Sequence, residues 1–458
     1  MNRLHGTLSA LLCALTLMGC GVGMGTWDWT VPGSNLGGTV TGLTGTGLTL
    51  QTNGMPQVPV DRLDNGFHPA LGGWFASGTA YDITVLSQPI SPSQTCLVTN
   101  GVGTASSADI TNIVVKCTTN PSRFVYVANG GSNSISAYSI DASSGVLTPI
   151  SGSPYPVGKA PSSIAVDPLG HFAYVSNQAD GDVSGFAIDR VSGVLTAVSG
   201  SPFPSGLGPS SVAVDPSSTF VYVANANSNN VSAYAVDRND GVLTAVVGSP
   251  FAAGTGPSSV IVDPTGRVVY VSNANSDQLS VYTIDPTGGL VNAPGSPYRT
   301  GSTPVSVTVG YGLYAQQSVY VANGGSNSVS AYTVSQANGG LTLLVGSPFA
   351  AGSDPRSVAV DPSSTFVFVA NSHSNDISIY AMNRSTGALT QVPGSPFAAG
   401  SDPSSVMVDP TGRFVYEANA GSGDISVFSV DAISGALTAV PGSPFTAGSL
   451  PDAIAVSQ

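Results

Sequence analysis

Short segments in which apolar and polar side chains alternate recur at a constant spacing over the last three quarters of the chain. One segment, FVYVAN, begins at Phe124 and returns six times at steps of 48 or 50 residues. A second segment, PSSIAVDP, begins at Pro161 and also has seven copies, the last of which is PDAIAV at Pro451. The pattern therefore predicts one structural unit repeated seven times.

Each repeat contains four alternating segments, and a turn follows each of them. Alternation with a period of two predicts β-strands, and four short strands in a repeat of ~45 residues are typical of one blade of a β-propeller. A parallel β-helix requires much shorter repeats, and helical solenoids require a 3.6-residue period that this sequence lacks. We therefore predict an all-β, seven-bladed β-propeller over residues 124–458.

The two series of segments are offset from each other, and this offset predicts how the ring closes. The first FVYVAN has no PSSIAVDP before it, and the last copy, PDAIAV, has no FVYVAN after it. We expect the terminal strand, Ala453 to Val456, to complete the blade that begins at Phe124, which removes the open sheet edges. In this arrangement the Asn-rich loops and the connectors between blades lie on one face, the top, and the Asp-Pro turns lie on the bottom.

Residues 37–119 precede the repeats and show shorter alternating segments separated by Gly, Asn and Pro turns. This pattern predicts a small β-sandwich of the immunoglobulin-like kind. Cys96 and Cys117 are the two cysteines of the mature body, and in an oxidising compartment we expect them to form a disulfide. We interpret residues 21–36, rich in Gly, Thr and Trp, as a tether.

The first 20 residues contain Arg3, an apolar stretch and a cysteine, which is the pattern of an export signal. The segment Leu17-Met18-Gly19-Cys20 resembles the lipobox of bacterial lipoproteins, and this resemblance implies acylation of Cys20 and a lipid anchor, with Gly21 pointing to the outer membrane. The alternative is an ordinary signal peptide cleaved nearby. No later apolar run is long enough for a membrane helix, so we expect contact with the membrane through the lipid anchor only.

Charged residues make up only 8% of the chain, and the net charge is −13. Nucleic-acid binding requires clustered Lys and Arg, so we predict no nucleic-acid partner. The pair Asp180 and Asp182 provides too few oxygen ligands for calcium, and no Gly-rich loop is followed by the Lys of a phosphate site. We therefore expect no metal and no cofactor, and we expect a monomer.

The repeat from Phe124 to Gln458 resembles the bacterial YVTN-type propellers and the lactonase propeller family, which includes 6-phosphogluconolactonase-like proteins. Enzymes of that family commonly carry a Pro-Arg-His element at the start of an inner strand and Asn-Glu at the end of the next strand. The nearest match here is Pro355-Arg356-Ser357 followed by Asn371-Ser372. The resemblance implies a role for Arg356, while the His and the Glu of the pattern are missing.

Candidate ligand-binding residues are the charged groups of the top connectors, because these differ between blades that are otherwise nearly identical. They are Lys159, Arg299, Asp354, Arg356 and Asp402. His373, in a top loop, joins Arg356 as a candidate for catalysis. By contrast, the Asn that ends each FVYVAN and the aromatic residue of each GSPF segment occur in every blade, so we interpret them as structural.

Two functions fit these observations. The first is a non-enzymatic scaffold at the cell envelope that binds a protein or a polysaccharide on its top face. The second, which the family resemblance implies, is a lactonase-like hydrolase that opens a sugar lactone. A purely structural role is a third possibility, since a propeller does not specify an activity.

Overall fold

The computed structural model describes residues 33–45, 47–52, 58–60, 75–89, 94–120, 123–311, 317–335 and 338–457. The predicted signal segment and Cys20 lie outside these residues. Within them, no helix is both long and apolar enough to cross a membrane.

The described residues of the first domain form nine strands, seven of which make up two main sheets. The strands are β1 (Gly33–Ser34), β2 (Leu36–Thr41), β3 (Thr49–Thr52), β4 (Val58–Pro59), β5 (Phe75–Ala76), β6 (Ala80–Ser87), β7 (Gln94–Thr99), β8 (Val102–Thr104) and β9 (Ile110–Thr119). One sheet has the order β2-β9-β7 and the other β4-β3-β6-β8, while β1 pairs with β5. Strand β2 runs parallel to β9, and the other pairs are antiparallel.

The two main sheets of this domain share one hydrophobic core. Leu50 and Ile83 from one sheet and Ile113 from the other are almost completely buried in it. Cys96 and Cys117 lie directly opposite each other on β7 and β9 and form the predicted disulfide at the edge of this core. Two sheets around one core and the disulfide are therefore as the sequence predicts, although β1 and the first residue of β2 lie within the segment 21–36 that was interpreted as a tether.

The rest of the described chain forms seven antiparallel sheets of five strands each, which are the blades of the propeller. We number the blades 1 to 7 in the order of their second strands. The innermost strands, from blade 1 to blade 7, are Pro451–Ser457, Pro161–Val166, Pro209–Val214, Pro257–Val262, Pro304–Tyr311, Pro355–Val360 and Pro403–Val408. The second strands are Phe124–Asn129, Phe172–Asn177, Phe220–Asn225, Val268–Asn273, Gln317–Asn323, Phe366–Asn371 and Phe414–Asn419.

The outer part of each blade consists of a third strand and two short strands. The third strands are Ser134–Ile140, Asp182–Ile188, Asn230–Val236, Gln278–Ile284, Ser328–Val334, Asp376–Met382 and Asp424–Val430. The fourth strands are Leu147–Pro149, Leu195–Ala197, Leu243–Ala245, Leu290–Asn292, Leu341–Leu343, Leu389–Gln391 and Leu437–Ala439. The fifth strands are Tyr155–Pro156, Phe203–Pro204, Phe251–Ala252, Tyr298–Arg299, Phe349–Ala350, Phe397–Ala398 and Phe445–Thr446. A 3-10 turn, Gly324–Ser326, follows the second strand of blade 5.

The fifth strand is a small difference from the prediction of four strands per repeat. The fourth and fifth strands both pair with the third strand, at its two ends, and leave a gap between them. The serine of each GSPF segment fills this gap: in blade 5, for example, Ser347 Oγ accepts a 2.9 Å hydrogen bond from the Ala331 N–H. The equivalent bond occurs in all seven blades. The recurring serine therefore satisfies a backbone donor that no strand reaches.

Ring closure is as the offset of the two segment series predicts. The strand Pro451–Ser457 pairs antiparallel with Phe124–Asn129, with Val456 opposite Val125 and Ile454 opposite Val127. The first blade is therefore made from both ends of the repeat region.

Adjacent blades pack through apolar side chains on alternate positions of the second strands. At the blade 1–2 interface, Tyr126 and Ala128 of blade 1 pack with Ala173 and Val175 of blade 2. These side chains are completely buried. The period of two in FVYVAN thus presents one apolar set to each neighbouring blade.

Candidate functional site

Asp354 and Arg356 form an ion pair on the top face, where a connector enters the innermost strand of blade 6. Arg356 Nε and Nη2 each lie 2.9 Å from Oδ2 of Asp354. The Arg356 side chain is 50% exposed and that of Asp354 only 15%. Asp354 adopts a left-handed backbone conformation with φ of 54°, which aspartate tolerates better than most residues and which begins the turn into the strand.

His373 contacts the same carboxylate from the loop that follows the second strand of blade 6. Its Nδ1 lies 3.2 Å from Oδ2 of Asp354, and its side chain is 74% exposed. Two backbone hydrogen bonds hold this loop on the connector, from Ser372 N–H to Asp354 O and from His373 N–H to Ser353 O. The structure therefore brings together three of the predicted residues, Asp354, Arg356 and His373.

Asp402 lies beside this group, in the equivalent connector between blades 6 and 7. Ser372 Oγ donates a hydrogen bond to Asp402 Oδ1, which joins the His373 loop to the next connector. Asp402 N–H donates to Asn375 Oδ1 at the other end of that loop, over 2.8 Å. Asp402 is thus linked to the Asp354 group through one loop.

Asp452 extends the site into blade 1. It follows the proline that begins the innermost strand of every blade. Most blades have serine at this position, and blade 6 has Arg356. Those serines donate to the carbonyl of the next blade, as Ser404 Oγ does to Pro451 O over 2.6 Å. Burial, and secondarily the charge of Asp402, raise the pKa of Asp452 to about 6. Asp452 therefore holds its proton to a higher pH than an ordinary aspartate.

Lys159 and Arg299 lie elsewhere on the ring. Lys159 is exposed in the connector between blades 1 and 2, where its backbone N–H donates to Asp180 Oδ2 over 2.7 Å. Arg299 lies on the short fifth strand of blade 4, at the outer edge. Within the described ranges the only salt bridges are the two on Asp354, so neither cation takes part in one.

The candidate site therefore consists of Asp354, Arg356, Ser372, His373, Asp402 and Asp452. Position-by-position comparison of the blades identifies Arg356 and Asp452 as departures from the serine of the repeat. Ser372 also differs from its equivalents, which are Gly, Ala or Gln in the other blades, but the sequence does not indicate its hydrogen bond to Asp402.

This arrangement has the groups for adding water to a carbonyl carbon. Asp354 can orient the His373 ring through Nδ1 and leave Nε2 to accept a proton, and the Nη1 of Arg356 is not used by Asp354. An oriented imidazole and a cation are what a general base and an oxyanion site require. Among the described residues, no group of three or more His, Cys, Asp or Glu side chains could hold a metal ion.

Solved structures of similar fold come from several bacteria. A candidate 6-phosphogluconolactonase from Bacteroides fragilis has 18% identity and a TM-score of 0.65, and the match covers 74% of this chain and 99% of that chain. A second candidate 6-phosphogluconolactonase, from Bacteroides uniformis, has 17% identity and a TM-score of 0.65, with 74% and 100% covered. The periplasmic gluconolactonase of Pseudomonas aeruginosa has 20% identity and a TM-score of 0.63, with 73% and 99% covered. At these identities the similarity establishes the fold.

Comparison with curated protein sequences gave no match. The sequence does match the family described as Lactonase, 7-bladed beta-propeller, over residues 103–206, 198–309 and 314–400. These segments cover more than half of the chain and most of the propeller, and they confirm the resemblance to this family. The chain belongs to the lactonase family of seven-bladed β-propellers.

Proposed function

We propose that this protein hydrolyses a lactone on the top face of blades 6, 7 and 1. The observation that supports this proposal best is the shared carboxylate: Asp354 Oδ2 contacts both His373 Nδ1 and the guanidinium of Arg356. An Asp–His pair beside a cation is suited to acyl transfer to water. The lactonase family and a gluconolactonase among the similar structures point to the same chemistry.

In the proposed reaction, Nε2 of His373 takes a proton from a water molecule, and the resulting hydroxide adds to the lactone carbonyl carbon. Arg356 stabilises the negative charge that forms on the carbonyl oxygen. The ring C–O bond then breaks, and the leaving alkoxide takes the proton from His373. One water is consumed, and the product is an open-chain hydroxy acid.

The charge of the site favours a neutral lactone over a phosphorylated one. The permanent cation of the site, Arg356, already pairs with Asp354, and the next two blades add the carboxyl groups of Asp402 and Asp452, which lie close enough to interact with each other. A phosphate group would require more positive charge than Arg356 leaves available. We therefore propose an uncharged sugar lactone as the substrate class.

A direct test is acid release from glucono-1,5-lactone, its 6-phosphate and a non-sugar lactone, each measured above spontaneous hydrolysis. We expect turnover of the neutral sugar lactone, and a loss of about 100-fold or more in His373→Ala and Arg356→Ala. Lys159→Ala and Arg299→Ala are matched controls, because both residues are cations outside the site. Turnover that survives in His373→Ala would contradict the proposed base.

A binding scaffold is the second candidate, and the high exposure of His373 and Arg356 favours it, because a macromolecule could reach both. Absence of turnover on all three lactones, combined with binding of a polysaccharide or protein that Arg356→Ala abolishes, would support this alternative. Export and a lipid anchor at Cys20 belong to both proposals and are tested by palmitate-analogue labelling of wild type and Cys20→Ser.

A further inference from the structure

Glu417 is a buried carboxylic acid at a position that every other blade gives to valine. It is the fourth residue of the FVYEAN segment in blade 7, and its exposed fraction is zero. Neither of its carboxyl oxygens has a hydrogen-bond partner. The equivalent residues of blades 1 to 6 are Val127, Val175, Val223, Val271, Val321 and Val369.

The Glu417 side chain lies in the interface between blades 6 and 7. Alternate residues of a strand share one face, so Glu417 points to the same side as Val415, which packs on Phe368 and Ile377 of blade 6. A buried carboxylate without a partner is costly, and such a group therefore stays protonated. Burial raises the pKa of Glu417 to about 8, and the charges of Asp376 and Asp424 add to this effect.

The groups facing Glu417 reinforce the neutral form. Asp376 begins the third strand of blade 6 and Asp424 the third strand of blade 7, while the second strand of blade 6 and the innermost strand of blade 7 carry no titratable residue. Tyr380, on the third strand of blade 6, is directed to blade 5, where its hydroxyl donates to Ala350 O. Asp452 lies on the strand that packs against the opposite face of the Glu417 strand. These neighbours are acidic or neutral, so none stabilises a carboxylate at position 417.

The same interface lacks the tyrosine hydrogen bonds that join the other blades. A second-strand tyrosine donates to a glycine carbonyl of the next blade at four interfaces, as Tyr126 does to Gly193 over 2.9 Å. A third-strand tyrosine donates to the fifth strand of the preceding blade at five interfaces, as Tyr138 does to Thr446. Every interface other than that of blades 6 and 7 has at least one of these bonds.

Phenylalanine replaces both tyrosines at the blade 6–7 interface. Phe368 stands at the second-strand position and Phe428 at the third-strand position, so neither bond can form there. The innermost strands remain joined, through Ser357 Oγ and the Val406 N–H at 3.1 Å. The weak part of this interface is therefore its middle and outer portion.

We propose that the blade 6–7 interface is a proton-controlled joint, closed while Glu417 is neutral and loosened when Glu417 ionises. The joint lies below the Ser372–Asn375 loop of blade 6. Ser372 and Asn375 are both hydrogen-bonded to Asp402, in the connector that leads into blade 7. Loosening the joint therefore moves the loop that carries His373. This inference does not depend on the proposed hydrolysis, because its test measures structure alone.

The direction of the pH effect follows from the two pKa values. An exposed glutamate has a pKa of ~4.3, so opening that hydrates Glu417 releases its proton between about pH 4 and pH 8. Opening of the joint becomes more favourable as pH rises through this window, by up to about tenfold per pH unit. Above about pH 8 the closed form is also ionised and the dependence ends.

Hydrogen–deuterium exchange of the full chain tests the joint. Wild type and Glu417→Val are compared at each pH, so that the pH dependence of the intrinsic amide exchange rate cancels in their ratio. In peptides covering Phe366–Asn371 and Phe414–Asn419, we expect the ratio of wild-type to variant exchange rates to rise at least tenfold from pH 5 to pH 8.5. The strand Phe172–Asn177 in blade 2 is the internal control and should show a constant ratio. A ratio independent of pH at the joint, or an equal rise in blade 2, would overturn the proposal.

Two further variants separate ionisation from packing. Glu417→Gln retains the shape and polarity of the side chain but cannot ionise. The ratio of its exchange rates to those of Glu417→Val should therefore not change with pH. A rise as large as that of wild type would exclude ionisation of Glu417 as the cause. Phe428→Tyr restores a hydroxyl toward the fifth strand of blade 6 and should slow exchange at the joint about threefold or more at both pH values. Unchanged exchange in Phe428→Tyr would contradict the assignment of the weakness to the missing tyrosines.

Discussion

Gly448 lies so close to Asn129 that a Cβ atom on the glycine would stand 2.6 Å from the Asn129 Cγ. The Gly448 N–H also donates to Asn129 Oδ1 over 3.0 Å. The two residues are separated by almost the whole ring in sequence and meet where it closes. The same glycine–asparagine contact occurs at each connector, for example between Gly206 and Asn225.

We expect Gly448→Ala to destabilise the propeller by about 1–3 kcal/mol, because neither the buried amide nor the connector backbone can move away without loss of packing. Thermal unfolding of Thr446→Ala, an exposed residue on the fifth strand just before this connector, is the control and should match wild type. Gly206→Ala should cost a similar amount. A wild-type melting temperature in Gly448→Ala would show that the connector can shift freely.

The closing strand was predictable from the sequence, whereas the full role of the asparagine that ends each FVYVAN segment was not. Seven copies of each segment and the offset between the two series are sufficient to predict the closing strand, because β-pairing within a repeat is the same in every copy. The asparagines, interpreted as structural, hydrogen-bond across their own loops, and they are also completely buried and contact the connector glycines. That second contact depends on the packing of adjacent blades, which alternation alone does not describe.

Ser347 provides a second test of the fold, at the outer edge of blade 5. Its hydroxyl accepts from the N–H of Ala331, a completely buried residue. Ser347→Ala leaves this donor without a partner and should lower the free energy of unfolding by about 1–3 kcal/mol. Val345→Ser, in the same turn with the side chain 94% exposed, is a matched control and should be close to neutral. Equal denaturation midpoints for both variants would refute this role of the serine.

The site was predictable only in part. Asp354, Arg356 and Asp402 are identifiable because they interrupt a nearly uniform repeat, whereas their geometry depends on the left-handed backbone at Asp354 and on the loop that carries His373. Glu417 is visible in the sequence as the only residue other than valine at the fourth position of the FVYVAN segments, but the sequence does not show that its carboxyl group lacks a partner. Its lack of partners is evident only from the packed interface.

Asp354→Asn tests the shared carboxylate at the site. Asparagine retains the shape but removes the charge that holds both His373 and Arg356, so we expect kcat/KM for a neutral sugar lactone to fall about 10- to 100-fold. The stability should change by less than about 1 kcal/mol, because the two partners of Asp354, Arg356 and His373, are at least half exposed and solvent screens their charges. Asp240→Asn, in an exposed bottom turn of blade 3, is the control for loss of one negative charge. Equal activity in both variants would remove Asp354 from the proposed mechanism.

Asp452→Asn tests the electrostatics of the site through stability. The pKa of Asp452 is raised to about 6, above the ~3.9 of an exposed aspartate, so the folded state binds more protons between these values and wild-type stability falls as pH rises from about 4 to 6. Asparagine at position 452 does not ionise, so the variant does not lose this stability as pH rises. We therefore expect Asp452→Asn to match wild type near pH 4 and to be more stable by about 1–2 kcal/mol at pH 7, after allowance for solvent screening. Asp402→Asn removes only the neighbouring charge and should give a smaller gain in the same direction. Denaturant unfolding at pH 4 and pH 7 provides the measurement, and an Asp452→Asn gain that is equal at both pH values would show that packing rather than ionisation is responsible.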